Sequence, residues 1–242
     1  GGQANTNSTL GSSNFDGTIQ ATVKANTTAG FSIVTYTGNG SNSSSVGHGL
    51  GVTPDAVIIK RRDGTGSWIF ESPHTYNGRG MYLNFDNGSN SSGTDTTSRS
   101  STLVTFDNSS DTNRRVNISG ETYVMYCFSN VAAYSKIDNY VGNGNADGTF
   151  VFTSFRPAFI LTKRTDGSSP WRLFDNKRPN ANFQTYKLEA DSAGAELTGY
   201  AYADFLSNGF KIRDSGSYQN ANGGTYIYFA FAESPFKNSR AR

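Results

Sequence analysis

Apolar residues in this chain come in short bursts rather than long runs. DAVIIKRR (55–62), TYVMYCF (122–128), AFILTKR (158–164) and TYIYFAF (225–231) are built from β-branched and aromatic residues and are separated by segments rich in Gly, Asn, Asp and Ser. Such bursts bounded by turn formers predict strands, and the two TY-headed runs, apolar without a break, predict strands buried on both faces. TLVTFDN (102–108) and FLSNGFKIRD (205–214) each predict a further strand, and the Asn-Gly pairs of YTGNG and YVGNG predict tight hairpin turns. One stretch, LEADSAGAEL (188–197), reads as a short helix interrupted by Gly194. The fold class expected is all-β.

The pattern is written twice. PDAVIIKRRDGTGSW (54–68) returns as PAFILTKRTDGSSPW (157–171), so that Lys60 matches Lys163, 103 positions on, Asp63 matches Asp166 and Trp68 matches Trp171. NISGETYVMYCFS (117–129) falls on NANGGTYIYFAFA (220–232) at the same offset, and FSIVTYTGNG (31–40) matches YSKIDNYVGNG (134–144) after one inserted residue. Distinct motifs in one order at a nearly constant offset point to tandem duplication. The expected architecture is two jelly-roll-like β-sandwich modules in series, at 31–133 and 134–242. Residues 1–30 serve as a linker and leading strand.

Composition narrows the function classes. Charged residues are 17%, aromatics 13%, and the net charge is +2. There is no basic block for a nucleic-acid face. No apolar run approaches the ~20 residues of a membrane-spanning helix, so neither nucleic acid nor membrane insertion is expected. The single cysteine, Cys127, rules out internal disulfides and a multi-cysteine zinc site. The leading GGQANTNSTLGSSNFDG lacks the charged and apolar regions of a signal peptide and reads as a linker.

Candidate chemistry is thin. VGHGLG (46–51) carries three alternating glycines ahead of Lys60, but Pro54 and β-formers follow where a P-loop or dinucleotide fingerprint needs a helix. The second copy, NADGTFVFTSFRP (145–157), lacks the glycine series and the histidine, so the stretch reads as a turn feeding a strand. His48 is expected to bond backbone within that turn, and His74 to lie in a loop. No G-x-S-x-G elbow occurs. Glu71, Asp175, Glu189 and Glu196 are the carboxylates from which a glycosidase pair would have to be drawn. Asp63 and Asp166 are expected to bond the backbone that follows them, and the Lys-Arg pairs at 60–61 and 163–164 to cover strand edges. Trp68 and Trp171 offer either core packing or a sugar-stacking platform. Tyr76, Tyr82, Tyr200 and Tyr202 have no match between the copies and are the candidates for a variable glycan- or partner-binding surface. No catalytic, cofactor or metal residue is expected.

Taken together, GFSIVTYTGNG, VGHGLGVTPDAVIIKRRD, SGETYVMYCFSNV, ADGTFVFTSFRPAFILTKRTD and GGTYIYFAFAESPFK resemble an uncharacterised domain family of tailed bacteriophages, marine phages and cyanophages above all, found in tail-fibre-like and other virion proteins. The resemblance covers residues 31–242. It implies a non-enzymatic virion structural protein on the particle exterior, foremost a tail-fibre or receptor-binding module for host attachment. Capsid decoration, and beyond it a glycan depolymerase or lectin, are the alternatives. The implied partners are other virion proteins, a host surface glycan or receptor, and further copies of the chain, a trimer among the options.

Overall fold

A computed structural model describes residues 11–89, 96–106, 116–178 and 183–234. The chain forms two compact units. Unit 1 takes the described residues of Gly1–Pro73, Gly78–Tyr82 and Asn90–Ser129, and unit 2 those of His74–Asn77, Leu83–Ser89 and Asn130–Arg242. Both are antiparallel β-sandwiches. Residues 1–10, read from sequence as linker, lie outside the described residues.

Unit 1 contains β1 (Ser12–Asn14), β2 (Ala21–Asn26), β3 (Phe31–Thr37), β4 (Ser44–Gly47), β5 (Ala56–Arg61), β6 (Ile69–Glu71), β7 (Met81–Tyr82), β8 (Thr96–Arg99), β9 (Leu103–Phe106) and β10 (Thr122–Phe128). One sheet runs β1-β2-β3-β10-β5-β6-β7 and the other β4-β9-β8. Alternation sets the inner faces: Ala21, Val23 and Ala25 of β2 are buried while Thr22, Lys24 and Asn26 between them are exposed. Val34, Val57, Ile59, Met125 and Cys127 join them in the core.

Unit 2 contains β11 (Ser135–Val141), β12 (Phe150–Phe152), β13 (Pro157–Arg164), β14 (Arg172–Asp175), β15 (Phe183–Gln184), β16 (Leu188–Glu189), β17 (Ala203–Leu206), β18 (Gly209–Ile212) and β19 (Thr225–Ala232). Its sheets run β11-β19-β13-β14-β16 and β12-β18-β17-β15. The central order of unit 1, β3-β10-β5-β6-β7, thus has its counterpart in β11-β19-β13-β14-β16, and the registers agree. Tyr36 stands opposite Tyr123 in one, Tyr140 opposite Tyr226 in the other. Each pair stacks, with ring centroids 5.1 and 4.9 Å apart, a contact contributing about 0.5–1.5 kcal/mol beyond area burial. The hydroxyl of Tyr36 donates to Val116 O and that of Tyr140 to Gln219 O, while Tyr123 and Tyr226 accept from the amides of Ile118 and Ala221.

The Asn-Gly segments do not close hairpins. The positive φ expected is present, at Gly40 (74°) and Gly144 (70°), but each loop is clasped by the turn before the TY strand. Asn117 Oδ1 accepts from Asn39 N–H at 2.9 Å, and its amide donates to Asn39 Oδ1 and Ser41 O. Asn220 repeats this with Asn143 N–H, Asn143 Oδ1 and Asn145 O. Both clasping asparagines are fully buried. Gly38 and Gly142 permit the approach, since a Cβ there would lie 2.2 Å from Ile118 O and 2.3 Å from Ala221 O.

Other expectations need correction. LEADSAGAEL is not helical: β16 ends at Glu189, and Lys187 and Leu197 exchange two backbone hydrogen bonds that close 188–196 as a loop. Among the described residues, the one α-helical turn, α1 (Ser217–Asn220), lies elsewhere. FLSNGFKIRD is two strands, β17 and β18, joined at Ser207-Asn208. Burial on both faces holds for β19, whereas the outward residues of β10 (Val124, Tyr126 and Phe128) are only half-buried.

Where β2 covers β3 in unit 1, β11 is a sheet edge in unit 2. The edge is blunted. Asn130 takes up both backbone groups of Ile137, accepting from its N–H and donating to its C=O. Lys136 and Asp138 occupy the inward slots that Ser32 and Val34 fill in β3, as their partners in β19 and β10 show. Charge pointing inward on an edge strand opposes pairing with a foreign strand.

Candidate functional site

The glycine stretch at 46–51 is structural. His48 is fully buried. Its Nδ1 accepts from Leu50 N–H at 3.3 Å and its Nε2 lies 3.1 Å from Ser100 O, an arrangement that fits the neutral ring protonated at Nε2. Burial holds its pKa below the ordinary value. A Cβ at Gly47 would overlap the side chain of Asn14, which accounts for one of the glycines.

The basic pairs differ between units. Lys60 Nζ donates to Arg61 O at the strand end, whereas Lys163 covers no edge: it is fully buried and donates to Asp86 O at 2.6 Å and to Ser169 O. The segment at Asp86 is further tied by Ser169 N–H to Asp86 O and Ser89 N–H to Thr165 O, both 2.7 Å. Burial lowers the Lys163 pKa to about 8. Asp63 does not bond the backbone that follows it. It accepts from the N–H and hydroxyl of Thr122 and from Arg61, and Asp166 accepts from Arg164. Glu71 is buried in unit 1, and Asp175 and Glu196 are both bound by Arg178.

Of the aromatic candidates, Trp171, Tyr82 and Tyr202 are buried, so none of the three offers a ring face to solvent. Trp171 is fully buried within unit 2, and its backbone N–H donates to Asp191 Oδ1 at 2.9 Å. Trp68, Tyr76 and Tyr200 are exposed, Tyr200 at 72%. Trp68 lies in unit 1 and the other two in unit 2. Tyr200 and Tyr202 are brought together, with centroids 6.3 Å apart.

That pair opens onto a polar cluster the motif reading missed. Lys187 Nζ lies 5.0 Å from the Tyr202 ring centroid and 3.2 Å from Glu189 Oε1. Glu189 stands opposite Arg172 across β14–β16. Arg172, 4% exposed, donates from Nη1 to Gln219 Oε1 at 2.9 Å, and its guanidinium lies 4.9 Å from the ring centroid of Tyr218. Both carboxylates near Arg172 stand beyond hydrogen-bonding reach, Asp214 at 3.6 Å from Nη1 and Glu189 at 4.0 Å from Nε. Arg172 Nε and Gln219 Nε2 are buried with no hydrogen-bond partner. Burial lowers the pKa of both Arg172 and Lys187.

In unit 1 the strand slots of Arg172 and Glu189 hold Ile69 and Tyr82, which face each other across β6–β7 inside the core. The signal was therefore present in the repeat, as the replacement of an apolar pair by a charged one. It was hidden because β7 and β16 are two-residue strands with no motif of their own.

Among the described residues, no three His, Cys, Asp or Glu side chains gather to hold a metal ion, and no helix is long and apolar enough to cross a membrane. No curated protein and no solved structure matches the chain. A family model does, across residues 4–235, and the chain accordingly belongs to the family described as Domain of unknown function (DUF7483).

Proposed function

We propose that the chain is a non-enzymatic structural protein on the exterior of a tailed-bacteriophage particle, a tail-fibre or receptor-binding module that attaches the particle to its host. The observation that carries this reading is the separation of scaffold from surface. Both units contain the stacked tyrosine pair and the buried asparagine clasp, which we read as the product of tandem duplication. The polar and aromatic side chains around Arg172 lie in unit 2, and the described strand slots of Arg172 and Glu189 hold Ile69 and Tyr82 in unit 1. A repeated frame with a divergent surface suits adhesion, where rigidity and variable contacts are needed together. The resemblance of its motifs to tail-fibre-like virion proteins supplies the particle. The partners in this reading are other virion proteins, a host surface glycan or receptor, and further copies of the chain.

Mass spectrometry of purified virions tests the reading directly: the polypeptide is expected among the particle proteins, and its absence overturns the proposal. A reconstruction of the intact particle then separates the two placements. Density at a tail fibre supports adhesion, and density on capsomers supports capsid decoration in its place. Shortening of host polysaccharide by the purified chain would replace adhesion with depolymerase activity.

A further inference from the structure

The geometry around Arg172 points to a binding site for a neutral saccharide, held through adjacent hydroxyl groups and against exposed tyrosine. This deepens the adhesion reading by naming its ligand class.

Three observations lead there. The first is that the cluster is not demanded by the fold. Unit 1 fills the same cross-strand slot with Ile69 and Tyr82, and a charged side chain as buried as Arg172 is commonly less stabilising than the apolar residue that could replace it. A charged pair kept where an apolar pair is known to fit speaks for use.

The second is that two buried donors lack partners while the two carboxylates, which accept from Lys187 Nζ (Glu189 Oε1, 3.2 Å) and from Gly216 N–H (Asp214 Oδ1, 2.7 Å), keep further acceptor capacity. Arg172 Nε and Gln219 Nε2 are buried donors without partners, and Glu189 and Asp214 stand 4.0 and 3.6 Å from the guanidinium rather than in contact with it. A hydroxyl group both accepts and donates, so it accepts from the guanidinium or the amide while donating to a carboxylate. Two neighbouring hydroxyls on one sugar ring meet both sides at once. An anion is opposed by the two carboxylates, and a cation by Arg172 and Lys187. The formal charges of these four groups cancel, which favours an uncharged ligand.

The third is access. Arg172 and Gln219 are buried, but the side chains of Glu189 and Asp214 beside Arg172 are 24% and 28% exposed. Tyr218 is 51% exposed and Tyr200 is 72% exposed. Their ring faces supply the apolar surface on which the C–H side of a sugar rests, with the polar groups beside it fixing orientation.

The test is a glycan array carrying neutral and acidic oligosaccharides, probed with the fluorescently labelled full chain and its variants. The full chain is expected to bind neutral oligosaccharides bearing vicinal diols. Tyr218→Ala and Glu189→Gln are expected to lower that signal tenfold or more with the thermal midpoint held. Arg172→Ile, which installs the unit 1 residue, is expected to abolish binding while unit 2 stays folded. Lack of binding to any saccharide overturns the proposal, even if the chain is found in virions. So does retention of binding by Tyr218→Ala, or a preference for acidic glycans. Loss through Ile33→Ser instead would place the ligand in the open groove of about 450 Å³ that Lys24, Phe31 and Ile33 help to line in unit 1, and would equally overturn it. If binding follows the expected pattern while the polypeptide is missing from virions, the virion reading fails and the saccharide site stands.

Discussion

The Asn220 clasp can be tested by truncation. The side chain is fully buried and makes three hydrogen bonds, one accepted from Asn143 N–H at 2.9 Å and two donated, to Asn143 Oδ1 at 2.9 Å and Asn145 O at 2.7 Å. Each contributes about 1 kcal/mol net, and truncation leaves the Asn143 N–H and the Asn145 carbonyl short of a partner, so Asn220→Ala is expected to cost about 3–4 kcal/mol. That is a large part of the ~5–15 kcal/mol typical of a domain. Asn220→Asp keeps the shape but turns an acceptor toward two acceptors, so near neutral pH it should cost more than alanine. The carboxyl would be held above its usual pKa. The folded state would then bind more protons than the unfolded one just above pH 4, so the variant would lose stability as pH rises from there. Each unit contains one tryptophan. In a Trp68→Phe background, urea unfolding followed by fluorescence of the buried Trp171 reads unit 2. A loss below about 1 kcal/mol for alanine, or an aspartate variant no worse than alanine, would refute the clasp as a principal tie.

Lys163 has a folded pKa of about 8, below its ordinary 10.5. Above pH 8 the unfolded state therefore retains more protons, and unit 2 should gain up to about 1.4 kcal/mol per pH unit until tyrosine ionisation in the unfolded chain reverses the slope near pH 10. Burial raises the pKa of Tyr140, Tyr226 and Tyr228, which sets that reversal, and Lys163→Met should remove the rise in denaturation curves taken between pH 8 and 10. His48 carries the opposite consequence for unit 1: its lowered pKa means stability falls as pH drops below about 6.5, and His48→Asn should flatten that fall in an acid titration followed by circular dichroism. Cys127 is fully buried and its thiol is pushed up to about 12, so a thiol reagent at neutral pH should label it only after urea opens unit 1, and rapid labelling of the native chain would contradict its burial.

The strands of the repeat were legible because β-branched and aromatic bursts ended by Asp-Gly have few other solutions, and β5, β10, β13 and β19 lie where the bursts do. The partner of each turn was not legible. Asn-Gly signals a positive φ, and Gly40 and Gly144 have it, but nothing local states that a buried asparagine some 77 residues on will hold the loop. The inserted residue before β11 was visible, yet its effect depends on register: a slip of one position exchanges the faces of a strand, which is how Lys136 and Asp138 come to point inward. The aromatic candidates divided by burial, which sequence does not give. Tyr82 and Tyr202 lack a match between the two halves of the sequence, a property that core and surface residues share.

The short excursion of Leu83–Ser89 into unit 2 has a further implication. The carbonyl of Asp86 receives one of the two hydrogen bonds from the Lys163 ammonium, so a polypeptide beginning at residue 134 would contain that buried cation with half its acceptors. The sequence repeat and the folded unit therefore have different boundaries. Cutting the gene at the repeat would split one domain between two products, and shuffling of the halves by recombination is restricted to exchanges that carry both.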